Sequence, residues 1–426
     1  MFNSLLKINN QLISIILLIY LCMIQTTDCA NATELQSFLA TTLQKNTELS
    51  QMKATTEEAK AQLSTSNSYF LPKIGIESRY ESFNSEFEKV NGVTANLYLD
   101  LNLFNGFKDL QNRSILNSEL DIVQTEQSRF ENNLKWKALA KYTEVQALQE
   151  NVKTYKEYIQ QNLKNIETVK ARRNTGRLSE SDYLEFELFD SNLKQKLIAL
   201  ESELTEKTTD LNAFSGSEIK TPLETLIVPK KLNFANLDLQ QLLKSEKSKL
   251  AEYQSRLNNI ESRLKLVRGS YLPQVDLTLS HGSIGIRDTD VAPETSIMLK
   301  AKWEIFSGFS TRNEYKVALA QLNKAKTTYD MQSISLYSKT QQLSIFLENN
   351  FNQYIIAEQN QKKVKRFIQT VMDEYRRGVK SSSDVISAIE LSIESQMNLN
   401  QLRVNYFNAR SELQEILGVT IEEIEN

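Results

Sequence analysis

Histidine and cysteine, which supply many catalytic nucleophiles, bases and zinc ligands, are almost absent: the 426 residues include one histidine and two cysteines. The histidine, His281, falls in a predicted strand, and no Ser-His-Asp or Cys-His set can be assembled around it. The carboxylates are scattered along predicted helices as on a solvated face, and no G-x-x-x-x-G-K-[ST] phosphate-binding loop occurs. We therefore predict no catalytic residue, no metal site and no cofactor.

Long apolar runs and an excess of charge of one sign are also lacking. One apolar run stands out, from Leu12 to Ile24; it follows Lys7 and precedes Ala30 and Ala32, whose spacing suits signal peptidase. Residues 1–32 are therefore predicted to be a cleaved export signal. The formal net charge of −3 gives no reason to expect a nucleic acid as partner.

Both cysteines, Cys22 and Cys29, lie in this predicted signal, so its removal would leave neither a disulfide nor a thiolate ligand. Two alternatives stay open. The segment could be retained as a membrane anchor, or Cys29 could be lipidated, although Thr26-Thr27-Asp28 lacks the leucine and the small residue usual before a lipidated cysteine.

Glycine and proline are scarce, and their positions show a repeat. Neither residue occurs between Gly106 and Gly176, or between Gly308 and Gly378. Each glycine landmark of the second half is one of the first half plus 202: 308 − 106, 378 − 176 and 418 − 216. The chain is therefore predicted to be a tandem duplication.

The residues around these landmarks agree with the repeat. Leu103-Phe104-Asn105-Gly106-Phe107 matches Ile305-Phe306-Ser307-Gly308-Phe309, and Phe70-Leu71-Pro72 matches Tyr271-Leu272-Pro273 one residue out of step. The slip between the two matches falls in a predicted loop, where an insertion costs least.

The stretches without glycine or proline are predicted to be helices of unusual length. They are rich in good helix formers, and apolar residues recur at helical spacings at Leu134, Ala138, Val145, Leu148, Val152 and Ile159. Such a helix would be roughly 100 Å long and too polar to lie in lipid. It must run through water and pack on other helices as in a coiled coil.

Four segments with period-two alternation precede these helices. The alternation starts after Pro72, again from Leu97, and recurs from Val275 and from Ile297. Each predicted strand has roughly the length that a tilted strand needs to cross the hydrocarbon core, and the alternation suits a wall between lipid and water. The polar loops 84–92 and 284–293 would be the external tips.

Four strands leave open edges, whose unpaired backbone groups lipid does not tolerate. A closed barrel with a water-filled interior needs more than about eight strands, and three chains would supply twelve. We therefore predict a homotrimer. A soluble two-hairpin sheet is the alternative if the hairpins are taken alone.

The segment Tyr375-Arg376-Arg377-Gly378-Val379-Lys380-Ser381-Ser382-Ser383-Asp384-Val385 resembles the Y-x-x-G-x-x-S-x-x-D-V turn of the TolC family of outer-membrane channels. Its copy in the first half is Gly176-Arg177-Leu178-Ser179-Glu180-Ser181-Asp182-Tyr183. Each copy follows its strand-to-helix glycine by 70 residues (176 − 106, 378 − 308). The resemblance extends over about residues 33–420.

Glycine can end a helix in a left-handed cap and serine can cap the next helix, so capping alone is a sufficient reading of these turns. The resemblance implies more: that the turns form the periplasmic tip where a membrane-fusion adaptor docks. The docking residues would be Gly176, Ser179, Gly378 and Ser381.

The resemblance further implies that the inner helix pair of the second repeat closes the pore. Asp384 would ring the constriction, while Tyr375 and Lys380 would tie the inner pair to Asp182. The sequence departs from the family pattern in two places, because Ser387 lies where a second acidic ring is often found and Lys380 replaces an arginine. Since lysine lacks the bidentate fork of arginine, we hypothesise a looser gate.

Five charged strand residues would face the lumen: Asp100, Asp276, Lys300, Lys302 and Glu304. They mix signs and do not predict strong ion selectivity. The resemblance implies outer-membrane lipid around the barrel, a periplasmic extension in a Gram-negative-type envelope, and an inner-membrane pump or ABC exporter as further partner. Drugs, metal ions and proteins all remain open as cargo.

The predicted fold is mainly α with a small β part: very long antiparallel helices forming an α-barrel, and four strands contributing to a trimeric 12-stranded transmembrane β-barrel. The signal is followed by a first repeat at 33–216, which has a hairpin at 70–104 and helices at 107–173 and 178–213. A linker at 217–236 leads to a second repeat at 237–418, which has a hairpin at 271–306 and helices at 309–376 and 380–416. A tail at 419–426 ends the predicted organisation. The predicted function is a passive exit duct for tripartite efflux or type I secretion. An exported coiled-coil protein serving structure or adhesion is the alternative.

Overall fold

A computed structural model describes residues 34–84, 89–174, 179–219, 222–223, 227–234, 238–286, 289–290 and 294–418. The predicted signal, both cysteines, Gly176 and the predicted tail lie outside the described residues. None of the helices in this described part has an apolar segment able to span a membrane.

Two similar series of elements follow one another along the chain. The first comprises α1 (Glu34–Lys45), α2 (Thr47–Thr65), a 3-10 turn (Ser66–Phe70), β1 (Lys73–Asn84), β2 (Lys89–Phe104), α3 (Lys108–Asn174) and α4 (Glu180–Ser215). The second comprises α5 (Leu239–Leu243), α6 (Lys249–Arg268), a 3-10 turn (Gly269–Tyr271), β3 (Gln274–Ile286), β4 (Thr289–Asp290), β5 (Glu294–Lys302), α7 (Ser310–Arg376) and α8 (Ser382–Leu417).

The long helices of the two series have equal lengths. Helices α3 and α7 each contain 67 residues, and α4 and α8 each contain 36. Their starts and ends differ by 202 in every case (310 − 108, 376 − 174, 382 − 180, 417 − 215). At 1.5 Å per residue, α3 and α7 are each roughly 100 Å long.

The long helices are held by side-by-side packing along their length. In the half of the long helices next to the sheet, α2 packs on α3, α3 on α6, and α6 on α7. In the half away from the sheet, α4 packs on α3, α3 on α8, and α8 on α7. The six apolar residues whose helical spacing predicted α3 are all buried, and Leu134 and Ala138 are fully inaccessible to solvent. Burying apolar surface in this way contributes roughly 25 cal/mol per Å². The buried apolar side of each helix, rather than helix propensity, therefore provides most of its stability.

The strands form one antiparallel sheet in which β1 pairs with β2, β2 with β3, and β3 with both β5 and the two-residue β4. The four long strands correspond to the four predicted ones. Strand β2 has 16 residues and β3 has 13, because backbone pairing continues into the segments predicted as external loops.

Strand β5 is shorter than the alternation predicted. It ends at Lys302, opposite Gln274, the first residue of β3. Trp303, Glu304 and Ile305 were predicted as strand but have no partner strand beyond that point. The chain turns instead through Gly308, at φ +62°, into α7.

The linker between the repeats packs across the middle of the long helices. Leu223 and Leu232 are buried, and the backbone N–H of Leu223 donates to Gln149 Oε1 on α3 (2.9 Å). The Tyr406 hydroxyl on α8 donates to the Lys230 carbonyl (2.5 Å). These bonds fix the linker to both repeats at a level between the sheet and the helix turns.

Candidate functional site

The sheet has two chemically different faces, because directly opposed residues of antiparallel strands point to the same side. Ile74, Leu99, Leu279 and Ile297 form one continuous row across the four strands. The next row toward the helices contains Leu101, Leu277 and Leu299. One face of the sheet is therefore aliphatic through its centre.

The opposite face carries the polar residues. Asp100 lies opposite Thr278 and accepts a hydrogen bond from its hydroxyl (2.7 Å), and Asp276 lies opposite Lys300. Lys302 shares this face at the end of β5. Four of the five predicted lumen residues thus lie on one face, whereas Glu304 lies beyond the strand and was wrongly placed in it, since β3 offers it no partner.

No described element covers the aliphatic face. Ile74, Ile76, Ile297 and Leu299 are each more than half exposed, although aliphatic side chains of this size are usually buried in soluble proteins. A single-layer sheet with one aliphatic and one polar face matches a wall between lipid and water.

Sequence reasoning missed a group of aromatic residues at the base of the sheet. Phe107 and Phe309 take left-handed backbone conformations (φ 63° and 65°) directly after glycines, and each packs edge-on against a preceding phenylalanine, Phe104 or Phe306. Because this conformation is strained for an aromatic residue, it is maintained by the sharp strand-to-helix turn. The repeated Phe-x-Gly-Phe sequence was the available signal.

The far ends of the helices carry two matching turns. Ser179 caps α4 and Ser381 caps α8; each hydroxyl accepts from the N–H of Asp182 or Asp384, and that carboxylate accepts from the serine N–H. These are capping boxes, the local role expected from the sequence. Gly378 has φ +79°, a conformation that favours glycine.

A hydrogen bond joins the two turns. The Ser382 hydroxyl donates to Asp182 Oδ1 (2.6 Å). The predicted tie between Lys380 and Asp182 is not formed: Lys380 Nζ lies 3.5 Å from Asp384, four residues along its own chain segment. Lys380 therefore pairs with Asp384 at i,i+4 on its own chain segment, and Ser382 makes the contact with Asp182 that the resemblance had implied for Lys380.

Tyr375 is buried between the two turns. Its ring packs edge-on against Phe186 (6.0 Å between centroids), and the Arg172 guanidinium lies 5.8 Å from its centroid. Its hydroxyl has no hydrogen-bond partner among the described residues, so it does not bond to Asp182 as predicted. Burial raises the pKa of Tyr375 and keeps the hydroxyl protonated.

The two turn carboxylates are held ionised. Hydrogen bonds from Ser382 and Ser179 lower the pKa of Asp182, and those from the backbone and side chain of Ser381 lower the pKa of Asp384. Asp384 is half-exposed and Ser387, one turn further along α8, is exposed. The described residues contain no group of three or more metal-ligating side chains positioned to hold an ion.

Residues 239–419 match the model of a family described as outer membrane efflux protein. No curated protein matches the sequence significantly. The matched family and the similar solved structures are of outer-membrane channels rather than of enzymes.

Several solved structures resemble nearly the whole chain. The CmeC outer-membrane channel of Campylobacter jejuni has a TM-score of 0.80 at 14% identity and covers 92% of this chain and 88% of its own. The outer membrane protein VceC of Vibrio cholerae has a TM-score of 0.76 at 15% identity, covering 90% and 96%. The MtrE outer-membrane channel of Neisseria gonorrhoeae, in its open state, has a TM-score of 0.74 at 14% identity, covering 91% and 89%.

At these identities the structural likeness defines the fold, and it confirms the predicted architecture of long antiparallel helices with a small antiparallel sheet. The family match and the repeated helix turns agree with it. The second repeat thus matches the model of the outer membrane efflux protein family, and the chain as a whole has the fold of the TolC-type channels.

Proposed function

We propose that the chain is one subunit of a passive exit duct in the outer membrane, serving tripartite efflux or type I secretion. The two-faced sheet carries this proposal. Its aliphatic rows suit lipid and its charged rows suit a water-filled lumen, while the helices beginning at its base are too polar for lipid and would extend the duct through the periplasm.

A homotrimer would complete the wall. The outer edges of β1 and β5 have no partner strand among the described residues, and open edges in lipid cost several kcal/mol for each unpaired group. Three copies of four long strands give about twelve, enough for a barrel with an open interior.

The function is tested by reconstituting the detergent-extracted protein in planar bilayers. We expect membrane-bound material, a trimeric size in detergent and stepwise single-channel currents. Protein that is freely soluble without detergent and gives no current would instead support the alternative of an exported coiled-coil protein.

We further propose that the paired turns form the periplasmic gate. In a closed ring, Asp384 from each subunit would bring carboxylates together at the constriction, with the exposed Ser387 adding no second acidic ring. Cations would then block the current from this end by binding the carboxylates. Tyr375 would contribute by packing between the turns, and Lys380 by pairing with Asp384.

Replacing Asp384 by alanine tests the gate. We expect cation block of the single-channel current to be lost in Asp384→Ala and kept in Asp373→Ala, an exposed carboxylate near the end of α7 that pairs with Arg376. Block that persists unchanged in Asp384→Ala would contradict the proposed constriction.

An adaptor and an energy source would complete the system. The exposed turn residues Ser179 and Ser381, together with Gly378 and Gly176, are the proposed docking points for a periplasmic membrane-fusion adaptor linked to an inner-membrane pump or ABC exporter. Site-specific crosslinking at Gly378, with a crosslinker placed at Gly92 near the opposite end as control, should capture the adaptor from the turn alone.

A further inference from the structure

A groove of about 630 Å³ runs along α6, in the half of the long helices next to the sheet. Helix α6 packs between α3 and α7, and side chains of all three helices line the groove. Its volume lies within the range of sites that bind small organic molecules, roughly 300–1,000 Å³. The groove is formed by one chain, with α3 contributed by the first repeat and α6 and α7 by the second.

The middle of this α6 groove is apolar. Ile122 of α3 and Leu257 and Ile260 of α6 line it, and each is partly exposed. Tyr253 and Tyr329 line the end that lies away from the sheet and are partly exposed as well. Aromatic rings beside aliphatic side chains suit a ligand with a flat apolar body, because rings stack on one another and bury a large area.

Two arginines of α6 line the same groove, and both already have counter-charges. Arg256 Nη2 lies 3.1 Å from Glu126 Oε1 of α3 and 2.8 Å from Glu252 Oε1 of α6. Arg263 Nη2 lies 3.1 Å from Glu119 Oε1 of α3. Both arginine side chains are half-exposed, so these pairs leave part of each guanidinium open to the groove.

Lys324 of α7 is a third cation in the groove lining, and it forms no ion pair with a described residue. Arg268 at the end of α6 bonds to Tyr315 of α7. Lys324 lies nine residues beyond Tyr315, and Asn259 lies nine residues before Arg268 (324 − 315, 268 − 259), so the two are level on neighbouring helices. The exposed ammonium group of Lys324 is therefore placed between the two arginines, about one turn from each.

The internal repeat shows that the fold does not require a lysine at this position. The residue of α3 that corresponds to Lys324 is Ile122 (324 − 122 = 202). Helices α3 and α7 have equal lengths, and α3 accommodates an isoleucine at the equivalent place. Neither helix packing nor a counter-charge among the described residues thus accounts for the cation beside this apolar groove.

We propose that the α6 groove binds a small aromatic carboxylate. The carboxylate would accept hydrogen bonds from the ammonium group of Lys324, with the guanidinium of Arg263 adding positive potential one turn away. The ring would lie on the apolar middle of the groove and extend toward its two tyrosines. The proposal adds a ligand site to the proposed duct and does not depend on conduction.

Charge selects the class of ligand. The groove lining contains three cations and one carboxylate, Glu119. A cationic ligand would be repelled, and a neutral one would displace water from Lys324 without replacing all of its hydrogen bonds. A carboxylate replaces them, and hydrogen bonds between charged groups are stronger than neutral ones.

Equilibrium dialysis of the detergent-extracted protein against naphthoate tests the site, with the same nonionic detergent in both compartments. The matched neutral probe is naphthamide, which has the same ring system without the charge, and the matched small anion is acetate, which has no ring. We expect one saturable naphthoate site per chain and binding of naphthamide that is weaker by about ten-fold or more. Acetate at equal concentration should not compete.

Substitutions of single charges locate the site. Lys324→Gln should weaken naphthoate binding by about ten-fold or more and abolish the preference over naphthamide. The matched control is Lys326→Gln, an exposed lysine of α7 outside the groove lining, which should bind like the parent. Glu119→Gln should tighten naphthoate binding by up to about five-fold, because Arg263 loses a half-exposed counter-charge. Helical circular dichroism checks that each variant is folded.

Loss of binding in Lys324→Gln but not in Lys326→Gln supports the site. Equal binding by the parent and Lys324→Gln overturns it, as does a folded parent that binds naphthoate no better than naphthamide or shows no saturable binding. Bilayer current from the same preparations separates this proposal from the proposed function. Conduction without naphthoate binding overturns the site alone, whereas binding without conduction supports the site and contradicts the duct.

Discussion

The hydrogen bond from Ser382 to Asp182 links the two helix turns directly through their side chains. Its acceptor is ionised, and its pKa is lowered by this bond and by the cap serine Ser179. A bond to a charged group contributes about 1.5–3 kcal/mol, more than a neutral one. A single serine can therefore influence how firmly the two helix pairs are held together.

Replacing Ser382 by alanine should loosen the turns. We expect the amides of residues 380–386 to exchange about ten-fold faster, which corresponds to a loss of about 1.4 kcal/mol. Hydrogen–deuterium exchange of the detergent-extracted protein measures this. Ser383→Ala, which changes an exposed neighbour, should leave exchange unaltered.

The same bond gives a pH dependence with a defined sign. Because the pKa of folded Asp182 is lowered, the bond's contribution is complete above the ordinary carboxyl pKa of about 4 and is lost as the pH falls through the lowered value. The difference between parent and Ser382→Ala in the free energy of local opening, measured by hydrogen–deuterium exchange, should therefore be constant from about pH 5 to 8. It should shrink below about pH 4. A difference that shrinks near neutral pH would point to another group.

Substitutions of Tyr375 distinguish the contribution of ring packing from that of hydrogen bonding between the two turns. Its ring is buried against Phe186 but its hydroxyl has no partner among the described residues. We expect Tyr375→Phe to leave the melting temperature unchanged or slightly raised, since it removes an unpaired polar group, and Tyr375→Ala to cost about 3–5 kcal/mol. A clear loss of stability in Tyr375→Phe would show that the hydroxyl gains a partner in the assembled protein.

At the scale of elements, α3 and α6 are joined by a partly buried charge network. Glu252 accepts from Arg129 (3.0 Å) and from Arg256 (2.8 Å), and Arg256 also donates to Glu126. Burial alone would raise the pKa of Glu252, but the hydrogen bonds and charges of the two arginines outweigh it and lower the pKa. Removing the Glu252 carboxylate would leave Arg129, whose side chain is largely buried, without this counter-charge.

Glu252→Gln should therefore destabilise the protein strongly, by about 3 kcal/mol. The matched control is Glu119→Gln on α3, whose partner Arg263 is exposed, and it should cost less than about 1 kcal/mol. Denaturant unfolding in detergent, followed by helical circular dichroism, measures both. Equal losses in the two variants would mean that burial does not distinguish the pairs.

The parts of this architecture that depend on local sequence were predictable. The absence of glycine and proline between Gly106 and Gly176 predicts α3. The alternation of apolar and polar residues around Leu99 and Leu279 predicts which side of each strand is aliphatic. The end of β5 was not predictable in this way, because Trp303 and Ile305 continue the alternation and only the start of β3 opposite Lys302 stops the pairing. The partner of Asp182 was missed for a similar reason, since the choice between Ser382 and Lys380 depends on how two distant turns meet.

At the scale of the molecule, three levels follow one another along the helices. The sheet lies at one end, the linker crosses the middle through Leu223 and Lys230, and the paired turns lie at the other end. Helices of roughly 100 Å separate the sheet from the turns. Membrane insertion and gating would thus depend on separate residues and can be altered independently.

Neighbouring residues of β3 make this separation measurable. Leu277 belongs to the aliphatic face, opposite Leu101 and Leu299, while Thr278 belongs to the polar face, opposite Asp100 and Met298. An arginine facing lipid near the middle of the membrane costs about 2–4 kcal/mol, whereas one facing a water-filled interior costs little. Leu277→Arg should therefore reduce folding into lipid vesicles by at least ten-fold relative to the parent, and Thr278→Arg, which can pair with Asp100, should insert normally. Folded insertion is measured by protease protection of the strands and by circular dichroism. If both variants insert equally well, the aliphatic face does not contact lipid, and the two-faced sheet no longer supports a membrane wall.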